Sequence, residues 1–265
     1  IDTGYYILLG LSCGLISIYF SKVYFAIGRF FGKLKKSIHS LLIGGLGLGV
    51  LLYFIPPLYG EGFQTINKLL NGNVDGVFNQ NIFQVVTENQ WVIILFLIGL
   101  VVFKVVATAI TFGAGGVGGV FAPSLFTGSV SGFVFALFFN TLGISEHQLS
   151  LSNFSLVGMA GLMAGVLHAP LTAIFLIAEI TSGHELFIPL MITAAISFLI
   201  TKKYIPFNIY ALELAKKGEL ITHDKDQNVL LLMDIDKIIE TNFIPLQPEM
   251  KLGYVVKHAV AKSSR

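Results

Sequence analysis

From Val105 to Ser145 the chain runs 41 residues without an aspartate, glutamate, lysine or arginine. In the middle of that run stands Gly113-Ala114-Gly115-Gly116-Val117-Gly118-Gly119. The two properties pull against each other. A long uncharged run belongs in hydrocarbon, where a spanning helix takes roughly 20 apolar residues. Yet glycine costs about 1 kcal/mol per helical position relative to alanine. Irregular backbone at membrane depth is tolerated only where protein or a water-filled cavity surrounds it. The window therefore predicts a helix, a break inside the membrane, and a second helix.

The remaining charges agree with a bilayer. Charged residues are 12% of the chain and mean hydropathy is +0.79, whereas soluble domains carry about 25% charged residues. Of the 32 charged residues, 14 lie in 1–201 and 18 in the last 64. A membrane part is expected before about Lys202 and a water-facing part after it. A net charge of +2 is too small to argue for nucleic acid. Cys13, the one cysteine, reads as a small buried hydrophobe. Ile1 to Tyr5 read as the middle of a longer protein, without a leader.

Apolar segments are expected at Gly4–Ala26, Ser40–Ile55 and Trp91–Phe112, with shorter pieces at Phe154–Leu167, Leu171–Ile180 and Leu186–Thr201. A basic loop with Lys22, Arg29, Lys33, Lys35 and Lys36 follows the first and points to the cytoplasm by the positive-inside rule. Pro56-Pro57 ends the second segment. A short helix is expected near Gly62–Leu70. Short, interrupted membrane helices point to a transport site rather than an anchor. In the tail, helices are expected over Phe207–Lys217, Leu230–Glu240 and Leu252–Ala261, with an extended piece at Ile244-Pro245-Leu246.

The strongest candidate site is Gly118-Gly119-Val120-Phe121-Ala122-Pro123. A helix starting here has proline in its first turn, where the missing N–H does no harm. The glycines let the backbone approach an ion. Unpaired first-turn amides and the helix dipole favour an anion. A full charge such as lysine is expensive in the bilayer and holds a small ion too tightly for passage. The plainer account is that the glycines serve helix packing; the Phe-Ala-Pro completion favours the site.

Gly119-Val120-Phe121-Ala122-Pro123 resembles the G-x-F-x-P signature of CLC chloride channels and chloride/proton exchangers. The likeness extends through Thr111–Gly128, TFGAGGVGGVFAPSLFTG, with Ala114 and Val117 where serine or proline often stand. His168-Ala169-Pro170-Leu171-Thr172 with Glu179-Ile180-Thr181, Phe187-Ile188-Pro189-Leu190-Met191, Asn208-Ile209-Tyr210 and Tyr59-Gly60-Glu61-Gly62-Phe63 resemble further family segments in order. The resemblance implies an all-α membrane fold. It is one inverted-repeat half with broken and re-entrant helices (family helices J to R) over 1–217, followed by a short soluble tail over 218–265. It implies that the Val120 and Phe121 amides and the Tyr210 hydroxyl contact chloride, with Gly118, Gly119, Ala122 and Pro123 shaping the site. A fluoride-exporting branch lacks this tyrosine, so Tyr210 favours chloride. It also implies a homodimer through helices around 171–180 and 186–201, and no cofactor beyond the transported chloride. The tail resembles the start of a CBS domain on Met233-Asp234-Ile235, Thr241–Leu246 and Pro248-Glu249-Met250; paired CBS domains can bind adenine nucleotides and here would be cytoplasmic.

The family's G-S-G-I-P and G-K/R-E-G-P signatures, and with them the gating and proton glutamates, are expected upstream, so channel and exchanger stay open. Among other residues, Glu179 is expected to be a buried structural acid, His168 structural, and Glu61 a solvated loop charge. Lys104 is expected to snorkel or pair with an acid. Rival readings are a broken-helix transporter for another ion, which wants acids near the breaks, and a non-conducting fragment. A membrane enzyme would need clustered His, Asp, Glu or Ser–His pairs at depth, which are not seen, so none is expected.

Overall fold

Most breaks in the helical trace hold a glycine or proline, which make helix costly, and small residues set much of the packing between them. The structure, a computed structural model, describes residues 2–34, 37–72, 89–144, 147–181, 184–212 and 248–256. The chain divides into two compact units, Ile1–Glu213 and Leu214–Arg265. All regular elements among the described residues are helical.

In the first unit, α1 spans Thr3–Gly32 and α2 spans Ser37–Phe54. A 3₁₀ turn, Pro56–Leu58, leads to α3, Phe63–Leu70. Helix α4 is Gln90–Gly113 and α5 is Phe121–Leu142. Then come α6, Leu151–Leu167, α7, Pro170–Thr181, and α8, Phe187–Tyr204. A short helical turn, 209–212, closes the described part of this unit. The second unit contributes α9, Leu252–Val255.

Four of these helices, α1, α2, α4 and α5, are long and apolar enough to cross a membrane, as is the stretch Phe187–Leu212 that contains α8. Helices α6 and α7 are shorter, and α7 at about 1.5 Å per residue reaches only about 18 Å. They meet at His168, whose φ of 56° is left-handed and caps α6. Pro170 then opens α7 without losing a needed N–H.

Helix α6 is the centre of the unit. Each residue from Phe154 to Val166 is buried, as expected for a helix apolar on all faces. Its largest interface is with α5, followed by α8 and then α1. Glycine permits the closest approach. Gly128 and Gly132 of α5 lie against Gly158 of α6, so a Cβ added at Gly132 would meet the Phe154 carbonyl. On the other face of α6, Gly161 receives Cys13 and Thr193, and Gly165 receives Ser17 and Ser197. Small residues at membrane helix crossings have this effect because they let backbones touch. Helix α2 buries only Ser40 and Gly44 among the described residues.

The structure corrects two expectations of position. Helix α1 does not stop near Ala26: it continues to Gly32, so Lys22 and Arg29 lie inside it rather than in a loop. At 30 residues it is about 45 Å long, beyond the roughly 30 Å hydrocarbon core, and its basic end has long stems that reach water. Glu179 is exposed on α7 rather than buried. In the tail, the 217/218 boundary, Leu230–Glu240, Ile244-Pro245-Leu246 and Met233-Asp234-Ile235 lie outside the described residues. Of Phe207–Lys217 the turn 209–212 is helical, and of Leu252–Ala261 the part Leu252–Val255.

Candidate anion site

The break between α4 and α5 has a defined architecture. Gly115, with φ of 98°, follows the C-cap Ala114. The Gly115 N–H donates to Phe112 O at 3.1 Å and the Gly116 N–H to Thr111 O at 2.8 Å. This is the Schellman arrangement, which satisfies the last carbonyls of α4 and turns the chain sharply. Residues Gly115 to Gly119 are exposed, and Val117 is fully so. A Cβ at Gly118 or Gly119 would touch nothing closer than 3.6 Å. The protein packing described does not itself demand glycine there, and the backbone is left open.

Helix α5 then begins at Phe121 with Val120 as N-cap and no side-chain cap. Pro123 sits in the first turn, as its ring favours. Val120 is 1% exposed and Phe121 is 39% exposed, so the helix start is rooted on one side and open on the other. The buried root is a cluster of Val120 with Phe20, Val105, Leu162, Val166 and Ile209. Ile209 matters because it fixes its neighbour Tyr210. The Asn208 side chain caps the turn by accepting from Ala211 N–H at 2.7 Å. The Tyr210 hydroxyl oxygen thereby comes to accept from the Val120 N–H at 3.4 Å, across 90 residues of sequence. The structure thus brings Val120, Phe121 and Tyr210 to one place, with Gly118, Gly119, Ala122 and Pro123 around it.

An open pocket of about 580 Å³ adjoins the break, lined in part by Gly118, Gly119, Phe121, Thr111 and Lys104. Lys104 departs from expectation. It is 2% exposed, and among the described residues its hydrogen bonds go to carbonyls rather than to an acid. Its Nζ donates to Leu58 O at 3.0 Å and Gly60 O at 2.7 Å. It also lies 4.7 Å from the centre of the Phe126 ring, a favourable cation–π distance. Carbonyl dipoles thus solvate a buried cation and, in return, the cation ties the turn of Gly60 to α4. Gly60 and Gly62 both have positive φ, 61° and 84°. Glu61, exposed between them, lines the same pocket. The sequence marks this loop by its Gly-Glu-Gly run and marks Lys104 by its isolation in an apolar helix, but nothing in it joins the two. His168 is half-buried and stacks edge-on against Phe198, 5.7 Å between centres. Among the described residues no group of three or more His, Cys, Asp or Glu is placed to hold a metal.

Comparisons with known proteins bear on the fold and the family. The chain is 30% identical over 195 residues to the H(+)/Cl(-) exchange transporter ClcA of Vibrio campbellii, covering 71% of this chain and 37% of that protein. It is 30% identical over 218 residues to Chloride channel protein CLC-e of Arabidopsis thaliana, covering 74% of this chain and 28% of that one. The chain therefore spans well under half the length of these relatives. Among solved structures it resembles a slow cyanobacterial Cl-/H+ antiporter, with a TM-score of 0.60 and 25% identity, over 80% of this chain and 46% of the other. Residues 2–202 match the family described as voltage gated chloride channel, and this helical, membrane-embedded chain belongs to that family.

Proposed function

We propose that the parent protein carries chloride across a membrane, and that this chain supplies one wall of the ion's central site. The Val120 and Phe121 amides and the Tyr210 hydroxyl would hold the anion, with Gly118, Gly119, Ala122 and Pro123 leaving the backbone accessible. The observation that carries the reading is the meeting of the Tyr210 hydroxyl with the Val120 N–H at an uncapped helix start. Neutral donors at a helix N-terminus attract an anion without a fixed full charge. A pore needs that combination, because an ion must leave as readily as it enters. A bound anion would accept from the Val120 N–H in place of the tyrosine oxygen, while the hydroxyl turns to donate to it.

The same reading makes this chain the second inverted repeat, with the gate and any proton path supplied by other residues. The named relatives include both an exchanger and a channel, so proton coupling is a question for those residues. It further places the 218–265 tail in the cytoplasm as the opening of a CBS domain, whose complete pair would take an adenine nucleotide. It also assigns α7 and α8 to a homodimer contact. Exposed Leu171, Phe175, Ile188 and Leu199 on these helices suit that role.

The test is chloride flux from vesicles holding the full-length parent. Tyr210→Ala removes the hydroxyl, and Phe121→Pro removes one amide at the first helical position, while also pressing Val120 out of its αR backbone. Altered flux or halide selectivity is expected in both. Wild-type flux and selectivity in both variants would remove the site assignment.

A further inference from the structure

Along α8, Thr193, Ser197 and Thr201 recur every four residues, and all three are fully buried. The outer two are satisfied. Thr193 Oγ1 donates to Tyr6 O at 3.0 Å, and Thr201 Oγ1 to Ser197 O at 2.9 Å and Gly14 O at 3.4 Å. Ser197 breaks the series, because its Oγ has no hydrogen-bond partner. The same is true of Ser17 Oγ on α1, also fully buried. Buried hydroxyls are ordinarily paired, so two orphans together call for an explanation.

Both hydroxyls point at one spot on a third helix. A Cβ built on Gly165 of α6 would stand 2.7 Å from Ser197 Oγ and nearer still to Ser17 Oγ. The two oxygens are therefore at most about 5.4 Å apart, twice that distance. A single water about 2.8 Å from each can bridge any pair separated by up to about 5.6 Å. A neutral, fully buried pair of hydroxyls suits a neutral ligand of that size, and an ion would lack counter-charge there.

We propose that Ser17, Ser197 and the bare Cα of Gly165 form a site for one trapped water at the crossing of α1, α6 and α8. The water donates to or accepts from each serine and satisfies both at once. Such waters are integral parts of protein interiors, and in membranes they meet polar needs that hydrocarbon cannot. Glycine at 165 leaves the site open to both side chains.

The test uses the full-length parent protein in detergent, with Ser17→Ala, Ser197→Ala and the double variant followed by thermal unfolding. Each single variant should lower the melting temperature, since one serine is then left facing an under-coordinated water. The double variant should melt no lower than the less stable single, because removing both partners is nearly neutral. A double variant whose shift equals the sum of the two singles would overturn the shared water. A high-resolution map of the wild type is expected to show a peak within about 3.2 Å of both Oγ atoms. A map with both serines ordered and each bonded instead to the carbonyl four residues before it would overturn the proposal.

Discussion

Gly158→Ala tests whether the α5–α6 crossing organises the fold. A methyl at 158 would stand 2.9 Å from Gly132 Cα and 3.0 Å from its nitrogen, and closer still to Gly128 O. These are backbone atoms, so no side chain can rotate away. Carbon contacts are optimal at about 3.5–4.0 Å, so the helices must part by roughly 0.5–1 Å. A gap of that size forfeits a quarter to a half of each dispersion contact along the seam, and α5–α6 is the largest interface in the unit. Overpacking typically costs about 1–3 kcal/mol; the extended seam places this case at about 2–3 kcal/mol. At about 1.4 kcal/mol per decade, that is roughly a 30- to 140-fold rise in the unfolding constant. The comparator is Gly99→Ala in α4, where an added Cβ meets nothing within 4 Å; it should be unchanged or up to about 1 kcal/mol more stable, from helix propensity alone. Reversible unfolding of the full-length protein in mixed SDS micelles reads both. Equal midpoints for the two variants would refute the argument from backbone contact.

Lys104→Met removes the donor to Leu58 O and Gly60 O; a loss of about 1–3 kcal/mol is expected, with faster proteolysis between Pro56 and Gly62. Asn140→Leu breaks a two-way clamp, in which its amide donates to Leu149 O at 2.9 Å and its oxygen accepts from Leu149 N–H at 2.8 Å. That should cost about 1–2 kcal/mol and open the 143–150 link to protease. Ser150→Ala removes the α6 N-cap bond to Asn153 N–H and should lower stability by about 0.5–1 kcal/mol in a thermal-shift assay. Ile188→Arg places a charge on an exposed apolar face; if α8 meets a second subunit, crosslinking of the full-length protein should shift from dimer to monomer, and an undiminished dimer band would count against that contact.

What could be read from sequence was local. Gly115 and Gly116 announce a break because no other residue takes that turn at so little cost, and the Schellman bonds at Phe112 and Thr111 follow directly. Proline at 123 and 170 marks first turns for a similar reason. The resemblance placed Tyr210 beside Val120, which spacing alone would not have done across 90 residues. The acceptors of Lys104 are main-chain carbonyls, and a carbonyl leaves no signature in a sequence. The end of α1 was misplaced because hydropathy reports where charge begins, while helix continues as long as its backbone bonds do. The apolar neighbours of Glu179 suggest burial, yet the outward face of α7 is itself apolar, with Leu171, Phe175 and Ile180 exposed. The Gly161 and Gly165 seats for Cys13, Thr193, Ser17 and Ser197 depend on three helices in register, which no single segment encodes.

The stitch between Thr193 and Tyr6 has a consequence for biosynthesis. Its two ends are 187 residues apart, and synthesis proceeds at roughly 5–20 residues per second. For about 10–40 s after α1 emerges, then, the helix that will receive it on that side does not yet exist. During that interval Cys13 and Ser17 of α1, both destined for full burial, have no α8 to meet. The first helix of this unit must wait for the last, and whatever keeps it soluble in the bilayer until then is part of how the protein is made.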